Sequence, residues 1–375
     1  MQRLRCLDGL RGLLAVYVLL SHMMPFVALP ERLGWIAGLF SHGMAGVDMF
    51  FILSGLVIMQ SLRSFDYRPA PFLIARAARI FPAFLVVFAF AMGVETLETR
   101  FDQMPWIAPN SVAREIWSAG WPKDWWAHVL AHLTMTHGLI PDGSLPFAWV
   151  SFLGAAWSLS AEWQFYALMT VLALHFGRGA GGEIRLAAIF LAIAGVGAVW
   201  HATAPPELRF SRAFLPNKAH YFALGIASAG LVREQTRGRL LGYGAVLATA
   251  LGLCRIGGGI DKLLPPLAWS LCLAAQLRPG APGLGVLSQL LASRPLLWLG
   301  AVSYSIYLVN EPIQKLLGTA LAPLVGGDGM VFDAVWLPGA VLLPIWLAWW
   351  LHDRVERPAL QVGRGMAQRA LASVA

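Results

Sequence analysis

The chain of 375 residues is too apolar to fold as a soluble protein. Apolar residues make up 58% of it and charged residues only 13%, whereas soluble domains carry about 25% charged residues. A single aqueous core cannot bury that much apolar surface. The composition excludes a soluble enzyme, a disordered chain and a disulfide scaffold, and it predicts a polytopic membrane protein.

The formal net charge is +8, from 28 Lys and Arg against 20 Asp and Glu. The arginines cluster between apolar runs, which is typical of the positive-inside distribution of membrane proteins. We therefore expect the lipid bilayer as a partner and no nucleic acid. The three cysteines, Cys6, Cys254 and Cys272, show no metal-type spacing, so they indicate no redox role.

Ten apolar runs are long enough to cross a bilayer, and a weaker run at 127–140 is expected to lie on or dip into the outer face. Arginines near both chain ends predict that both termini are cytoplasmic, which requires an even number of crossings. The sequence thus predicts an all-α polytopic protein with about ten transmembrane helices in the plasma (inner) membrane. The predicted spans are 12–29, 44–62, 72–94, 157–176, 186–204, 219–232, 239–256, 263–277, 296–318 and 331–351.

This topology divides the chain into a membrane domain over 1–352 and a short basic cytoplasmic tail over 353–375. Basic residues then fall mainly in inner loops and acidic residues in outer loops. One predicted outer loop, 205–218, departs from the positive-inside rule because it contains Arg209, Arg212 and Lys218.

Ionisable residues inside the predicted spans mark candidate functional positions, because a charge within a bilayer is costly. His22 lies in the outer half of the first span and Arg11 at its inner end, roughly 16 Å away along the helix. Alone, His22 could be a hydrogen-bonded packing residue and Arg11 a cytoplasmic anchor. Together they indicate two depths of one cavity.

Two carboxylates are expected at the depth of His22. Asp48 opens the second span and Glu162 lies about a turn and a half inside the fourth, both entering from the outer side. Asp48 by itself also suits a helix N-terminus. Either carboxylate could orient an imidazole that acts as a general base. We expect the three groups to converge, and the sequence leaves open which carboxylate orients His22.

Arg76 and Arg79 share one helix face at the inner end of the third span. Paired guanidinium groups bind phosphates well, although positive-inside anchoring is an alternative for an isolated pair. With the groups near His22, they suit a donor that comes from the cytosol and an acceptor that waits outside.

Three histidines in the outer segment, His128, His132 and His137, could suggest a metal site, since the first two are spaced i, i+4. No acidic residue of the His-Glu-x-x-His kind lies between them. We therefore expect interfacial histidines and no bound metal.

Five segments, in chain order, resemble the signatures of the acyltransferase 3 family of integral membrane acyltransferases. They are LDGLRG at 7–12 leading to His22, GVDMFFILSGLVI at 46–58, RAARIFP at 76–82, WSLSAEWQFY at 157–166 and LGAVSYSIYL at 299–308. The resemblance extends over nearly the whole chain, and five matches in register are specific.

The resemblance implies O-acyl transfer, commonly of acetyl, to a hydroxyl of an extracytoplasmic glycan or lipid-linked sugar. The donor would be acyl-CoA as a co-substrate, with no further cofactor. The resemblance maps His22 to the essential base, Arg11 to its motif partner, and Arg76 and Arg79 to the CoA-facing arginines.

The sequence departs from the family pattern at two positions. Glu162 falls on the first member of a pair that is often Glu-Glu, and the second is Trp163. Asn310 stands where His is frequent in the late signature, which places more weight on His22 as the proton carrier.

Acyl transfer from a donor bound near Arg11 to a site near His22 needs a narrow channel between the first, second and fourth spans. We expect Ser54, Gly55 and Tyr166 to line it, since small or polar side chains leave room for a thioester to reach His22.

A proton-coupled transporter is the alternative function. It would use His22, Asp48 and Glu162 as a proton relay. Such a transporter favours inverted repeats with broken helices in matching positions of two halves, which the sequence does not show.

Overall fold

The computed structural model describes residues 4–111, 114, 117, 118, 120–179 and 181–373. Over these residues the chain forms α-helices joined by loops and single 3₁₀ turns, with one isolated β-bridge between Pro141 and Phe210. The α-helices are α1 Arg5–Met23, α2 Gly34–Phe40, α3 Gly43–Ser64, α4 Pro69–Val94, α5 Trp125–Leu133, α6 Ala156–Phe176, α7 Gly182–Thr203, α8 Ala219–Arg233, α9 Arg237–Ile256, α10 Leu264–Leu277, α11 Leu284–Leu291, α12 Arg294–Leu321, α13 Gly329–Leu351 and α14 Arg357–Ala372.

Each of the ten predicted spans overlaps one of these helices, although the first, 12–29, extends beyond the end of α1 at Met23. Within the described part of the chain, six helical segments are long and apolar enough to cross a membrane, or seven if α11 and α12, bent by 59°, form one span. The protein is therefore a multi-pass membrane protein. Helices α8 and α10 have 15 and 14 residues and reach roughly 21–23 Å, less than the hydrocarbon core of about 30 Å. Ten crossings with cytoplasmic termini thus remain a prediction.

Local sequence explains where several helices begin. Pro69 and Pro295 lie in the first turns of α4 and α12, where a proline has no hydrogen bond to lose. Asp328 caps α13, because its Oδ1 accepts hydrogen bonds from the N–H groups of Met330 at 2.9 Å and Val331 at 3.1 Å. Such caps satisfy backbone donors that a helix leaves free.

Glycines bring the first helix against α11 and α12 at backbone distance. A Cβ on Gly12 would lie 2.4 Å from the carbonyl oxygen of Leu296, and one on Gly300 would lie 2.0 Å from that of Asp8. On Gly9 it would lie 1.6 Å from the carbonyl oxygen of Leu291. Small residues permit this close approach of membrane helices.

A second close crossing joins α3 to α8. A Cβ on Gly55 would lie 2.3 Å from the carbonyl oxygen of Phe222, and one on Gly225 would lie 1.9 Å from that of Ile52. Gly55 therefore packs against α8 and does not line a channel, contrary to the expectation from the sequence. Its missing side chain makes room for a helix backbone.

The segment after α13 folds back on the membrane domain. The turn His352–Glu356 leads into α14, and α14 packs on α4, where a Cβ on Gly363 would lie 2.2 Å from the Cβ of Ala78. Arg68 also donates a hydrogen bond to the carbonyl oxygen of Leu371 at 3.0 Å. The region predicted as a basic tail is thus a docked helix.

The crossing at Gly55 gives a test of the packing. The variant Gly55→Ala should lower the free energy of unfolding by about 1–3 kcal/mol, because the added methyl group meets backbone atoms that cannot move aside cheaply. Thermal unfolding of the detergent-solubilised protein, followed by size-exclusion chromatography, measures the effect.

The matched control is Gly195→Ala in α7, where a Cβ would have no atom within 4 Å. There the substitution should be neutral or stabilise by about 0.5–1 kcal/mol, because Gly is a poor helix former. Equal thermal stability of the two variants would contradict the crossing.

Candidate active site

A cavity of about 360 Å³ lies between α1, α3, α4, α6, α12 and α14. Along α12 it runs from Leu297 to Tyr307, a rise of roughly 15 Å. Its charged lining has an excess of positive side chains. The charged residues are Arg11, Arg76, Arg79 and Arg364 with Asp8 and Glu162.

Arg79 is held in place by protein groups on two sides. Its guanidinium donates a hydrogen bond to Glu356, which is buried beyond the end of α13, and it lies 5.2 Å from the ring centroid of Tyr304. Glu356 also accepts a hydrogen bond from the hydroxyl of Ser305 at 2.9 Å. The carboxylate compensates the charge of Arg79, and these contacts fix its orientation at the cavity.

Arg76 is left with an unused donor. Its guanidinium lies 5.9 Å from the ring centroid of Phe72 and interacts electrostatically with Tyr166 and Glu162. Its Nε is buried and has no hydrogen-bond partner among the described residues. An unsatisfied buried donor is costly, so Arg76 is suited to an anionic ligand in this cavity.

Glu162 lies with the arginines and accepts hydrogen bonds from the hydroxyls of Ser54, at 2.6 Å, and Tyr166. The expectation that Glu162 orients His22 is therefore not met. Ser54 and Tyr166 do line the cavity.

The depths of the helices explain this placement. Arg76 and Arg79 lie seven and ten residues into α4, roughly 10 and 15 Å from its first residue. Glu162 lies six residues into α6. All three side chains line the same cavity, so Glu162 shares the environment of the arginines.

Asp48 forms a buried ion pair with Lys218, whose Nζ lies 2.6 Å from Oδ1. Lys218 also lies 5.6 Å from the ring centroids of Trp157 and Tyr221. Asp48 is thus paired with Lys218 rather than with His22. This pair accounts for the basic residue at the end of 205–218, and Arg212 in the same loop stacks on the ring of Trp149 at 4.9 Å.

Within the described part of the chain, the side chain of His22 contacts Asn310 and no carboxylate. The distance between His22 Nδ1 and Asn310 Oδ1 is 2.7 Å. Asn310 is fully buried and lies one turn of α12 beyond Tyr307, the last residue of α12 that lines the cavity. The three groups expected to converge, His22, Asp48 and Glu162, therefore have three separate environments.

The three histidines of the segment between α4 and α6 are buried inside the protein. His128, His132 and His137 are at most 2% exposed. The rings of His132 and His137 stack with centroids 4.2 Å apart, and His128 contacts the hydroxyl of Ser151 at 2.7 Å. Nε2 of His137 lies 3.1 Å from the carbonyl oxygen of Ala156 at the start of α6, so these rings pack the segment against α6.

Sequence reasoning did not assign roles to several residues at this site. Lys218 could have been recognised from the sequence, because it departs from the positive-inside rule next to a predicted span that begins at the depth of Asp48. Glu356 could also have been recognised, as a carboxylate next to arginines after the last span. Tyr307 lies within the signature at 299–308, but that signature did not single it out. Arg364 had no signal, because only the docking of α14 brings it to the cavity.

The fold and the cavity define a class: helical membrane proteins that hold an arginine-rich polar cavity inside the bilayer region. The comparison with known families is specific. The model of the acyltransferase 3 family, described as an acyltransferase domain, matches residues 4–353. The chain belongs to this family, and it is an acyltransferase for groups other than amino-acyl groups.

Individual relatives are similar over most of the chain. BcsY of Komagataeibacter xylinus, named as a membrane-bound transacylase, is 29% identical over 83% of this chain and 72% of its own. The peptidoglycan O-acetyltransferase OatA of Listeria monocytogenes is 26% identical over 83% of this chain and 49% of its own. The chain thus spans about half the length of OatA. No solved structure gives a significant match.

The pair of Asp48 and Lys218 provides a test of its role. Replacing one partner, in Asp48→Leu or Lys218→Met, should destabilise the protein by about 3–5 kcal/mol, because a buried charge loses its partner. The double variant should recover much of that loss. Thermal unfolding of the three variants in detergent measures the coupling.

The transfer activity of the double variant shows whether Asp48 acts in folding or in catalysis. Acyl transfer near the wild-type rate assigns Asp48 to folding. A stable double variant without transfer gives the ion pair a part in catalysis. A double variant no more stable than the single ones contradicts the pairing.

Proposed function

We propose that the protein is a membrane O-acyltransferase that moves an acyl group, most simply acetyl, from cytosolic acyl-CoA to a hydroxyl of an extracytoplasmic glycan or glycolipid. His22 is the general base, and the cavity receives the donor. The observation that carries the proposal is the course of the cavity. It begins among arginines and ends at Tyr307, one helical turn from the pair of Asn310 and His22.

The arginine-rich end suits the phosphates of the donor. Arg76 retains an unpartnered buried donor, and Arg11 and Arg364 line the same space. Guanidinium groups bind phosphate oxygens through paired, charge-assisted hydrogen bonds. Asp8 and Glu162 offset part of the positive charge and leave the cavity attractive to an anion.

The other end suits the transfer step. The acceptor hydroxyl attacks the thioester carbonyl while the imidazole of His22 takes the hydroxyl proton. The bond from carbon to sulfur then breaks, and the departing CoA thiolate takes the proton back from the imidazolium. The products are the ester and CoA with a free thiol, and His22 returns to its starting state.

Relatives support the class of acceptor. OatA is named for O-acetylation of peptidoglycan, a glycan outside the cytoplasm, and BcsY is named as a transacylase. A polymeric or lipid-linked sugar hydroxyl is therefore the acceptor class that we propose for this chain.

Membrane vesicles with a defined orientation test the identity of the acyl donor and the direction of transfer in one experiment. Labelled acetyl-CoA should support acetylation when it is added to the face that carries the termini, and acceptor sugars should react only on the opposite face. Labelled ester on sugars confined to the donor side would overturn the proposed direction. Absence of any transfer with a competent natural membrane extract as acceptor would overturn the donor.

His22→Ala should lower the transfer rate by about 10²–10⁴-fold, the usual contribution of a general base. Insertion and thermal stability should change little, because His22 is only partly buried. The measurement is labelled acetyl transfer by purified protein in nanodiscs. The control is His201→Ala at the exposed end of α7, which should retain wild-type activity, and near-normal transfer by His22→Ala contradicts the assignment.

Arg76→Lys should raise the KM for acyl-CoA about tenfold or more while the KM for the acceptor stays constant, because an ammonium group lacks the bidentate fork. Arg237→Lys, an exposed site outside the cavity, is the matched control. Arg79→Ala should in addition destabilise the protein, since it leaves Glu356 buried without its partner. Unchanged donor KM in Arg76→Lys would remove Arg76 from the donor site.

A further inference from the structure

Asn310 holds His22 through an amide whose orientation is fixed by its own backbone. Its Nδ2 donates hydrogen bonds to the carbonyl oxygens of Ile306 at 3.0 Å and Tyr307 at 2.7 Å. The opposite amide orientation would turn Oδ1 toward both carbonyl oxygens, which are acceptors as well. Oδ1 therefore faces His22, and it can only accept a hydrogen bond.

The fixed acceptor determines which nitrogen of His22 carries the proton. Nδ1 lies 2.7 Å from Oδ1, so a neutral imidazole must be protonated at Nδ1. Its lone pair is then on Nε2, which makes no hydrogen bond to the described residues. A general base needs such a free lone pair within reach of the hydroxyl proton.

We propose that Asn310 is a positioning residue that keeps His22 in the Nδ1–H tautomer, so that Nε2 is the atom that accepts the proton of the acceptor hydroxyl. This inference rests on the proposed function of His22. It replaces the carboxylate expected beside His22 by a neutral amide, because Asp48 and Glu162 are engaged elsewhere.

A second contact fixes the position of α1 near the imidazole. Gln314, one turn after Asn310 on α12, donates a hydrogen bond from Nε2 to the carbonyl oxygen of Leu19 at 3.2 Å. Leu19 precedes His22 by three residues on α1. Two amide side chains of α12 thus hold the outer turn of α1, one through its backbone and one through its imidazole.

The pair is also joined to the cavity. The backbone carbonyl of Tyr307 accepts from Asn310, while the hydroxyl of Tyr307 lies 2.8 Å from that of Ser158. Tyr307 and Ser158 both line the outer part of the cavity. A displacement of this turn of α12 would therefore move the imidazole and the cavity wall together.

Two substitutions of similar size separate positioning from packing. Asn310→Leu removes the acceptor, and Asn310→Asp keeps an oxygen that accepts from Nδ1. If Asn310 positions His22, Leu should lower kcat by about 10²-fold or more, while Asp retains about a tenth or more of the wild-type kcat. The KM for acyl-CoA should stay constant in both variants, because the arginines are unaltered.

A higher kcat in Asn310→Leu than in Asn310→Asp would overturn the proposal. A residue that only packs tolerates Leu better than Asp, because burying a carboxylate costs more than burying an apolar side chain. Asn217→Leu is the matched control, since the Nδ2 of Asn217 also donates to two backbone carbonyls, of Phe210 and Ser211, but contacts no histidine. It should affect stability and leave kcat unchanged.

Nitrogen-15 NMR of histidine-labelled protein in bilayers measures the tautomer of His22 independently of catalytic activity. The signals of His22, assigned by their loss in His22→Gln, should show a protonated Nδ1 and an unprotonated Nε2 in the wild type. Asn310→Leu should lose this preference, and Asn217→Leu should keep it. A wild-type signal from the Nε2–H tautomer would overturn the inference.

The two readouts distinguish failure of the inference from failure of the proposed function. Full transfer activity of His22→Gln would refute His22 as the base while the NMR result on the tautomer still stands. An inactive His22→Gln together with a fully active Asn310→Leu would refute positioning by Asn310 and leave the proposed function intact.

Discussion

The close approach of α1 and α12 is the contact on which the rest of the site depends. Gly12 and Gly300 allow the two backbones to touch in the first half of α1, where Arg11 lines the cavity. The same two helices meet again near the end of α1, where His22 contacts Asn310. A bulky side chain at either glycine would push the two helices apart, and it would displace the imidazole as well as the cavity wall.

Charge pairing inside the membrane domain sets the second constraint. Asp48 is paired with Lys218, and Arg79 with Glu356, as expected where an isolated charge is expensive. Among the described residues, the buried Nε atoms of Arg63, Arg76 and Arg114 have no hydrogen-bond partner. Arg76 differs from the other two because it lines the cavity, so its free donor faces a space that a ligand could fill.

The sequence predicted the helices well, because each apolar run is a local signal that requires no partner. His22 and the arginine cluster could also be predicted from the sequence, since charges within apolar runs are rare. The residues that they contact could not be predicted. The sequence places Glu162 beside His22 because the depth of Glu162 is counted from one end of its helix alone. That Arg76 lies beside Glu162 depends on where α4 begins. The contact with Asn310 joins residues 288 positions apart, which no local pattern reveals.

The depth of the arginines changes the distance that an acyl donor has to cover. Phosphates bound at the inner surface would leave about 16 Å of helix between Arg11 and His22 for the pantetheine arm to cross. Arg76 and Arg79 lie roughly 10–15 Å along α4 from its first residue, so phosphates that reach them would already be well inside the helical domain. An anion is stabilised there only where cations outnumber carboxylates. The cavity has four arginines against Asp8 and Glu162, and three of them remain after Arg79 is paired with Glu356. The cavity ends at Tyr307, one helical turn short of Asn310. In the proposed function, an acyl group on an extended arm would therefore have to cover only this last turn to reach His22.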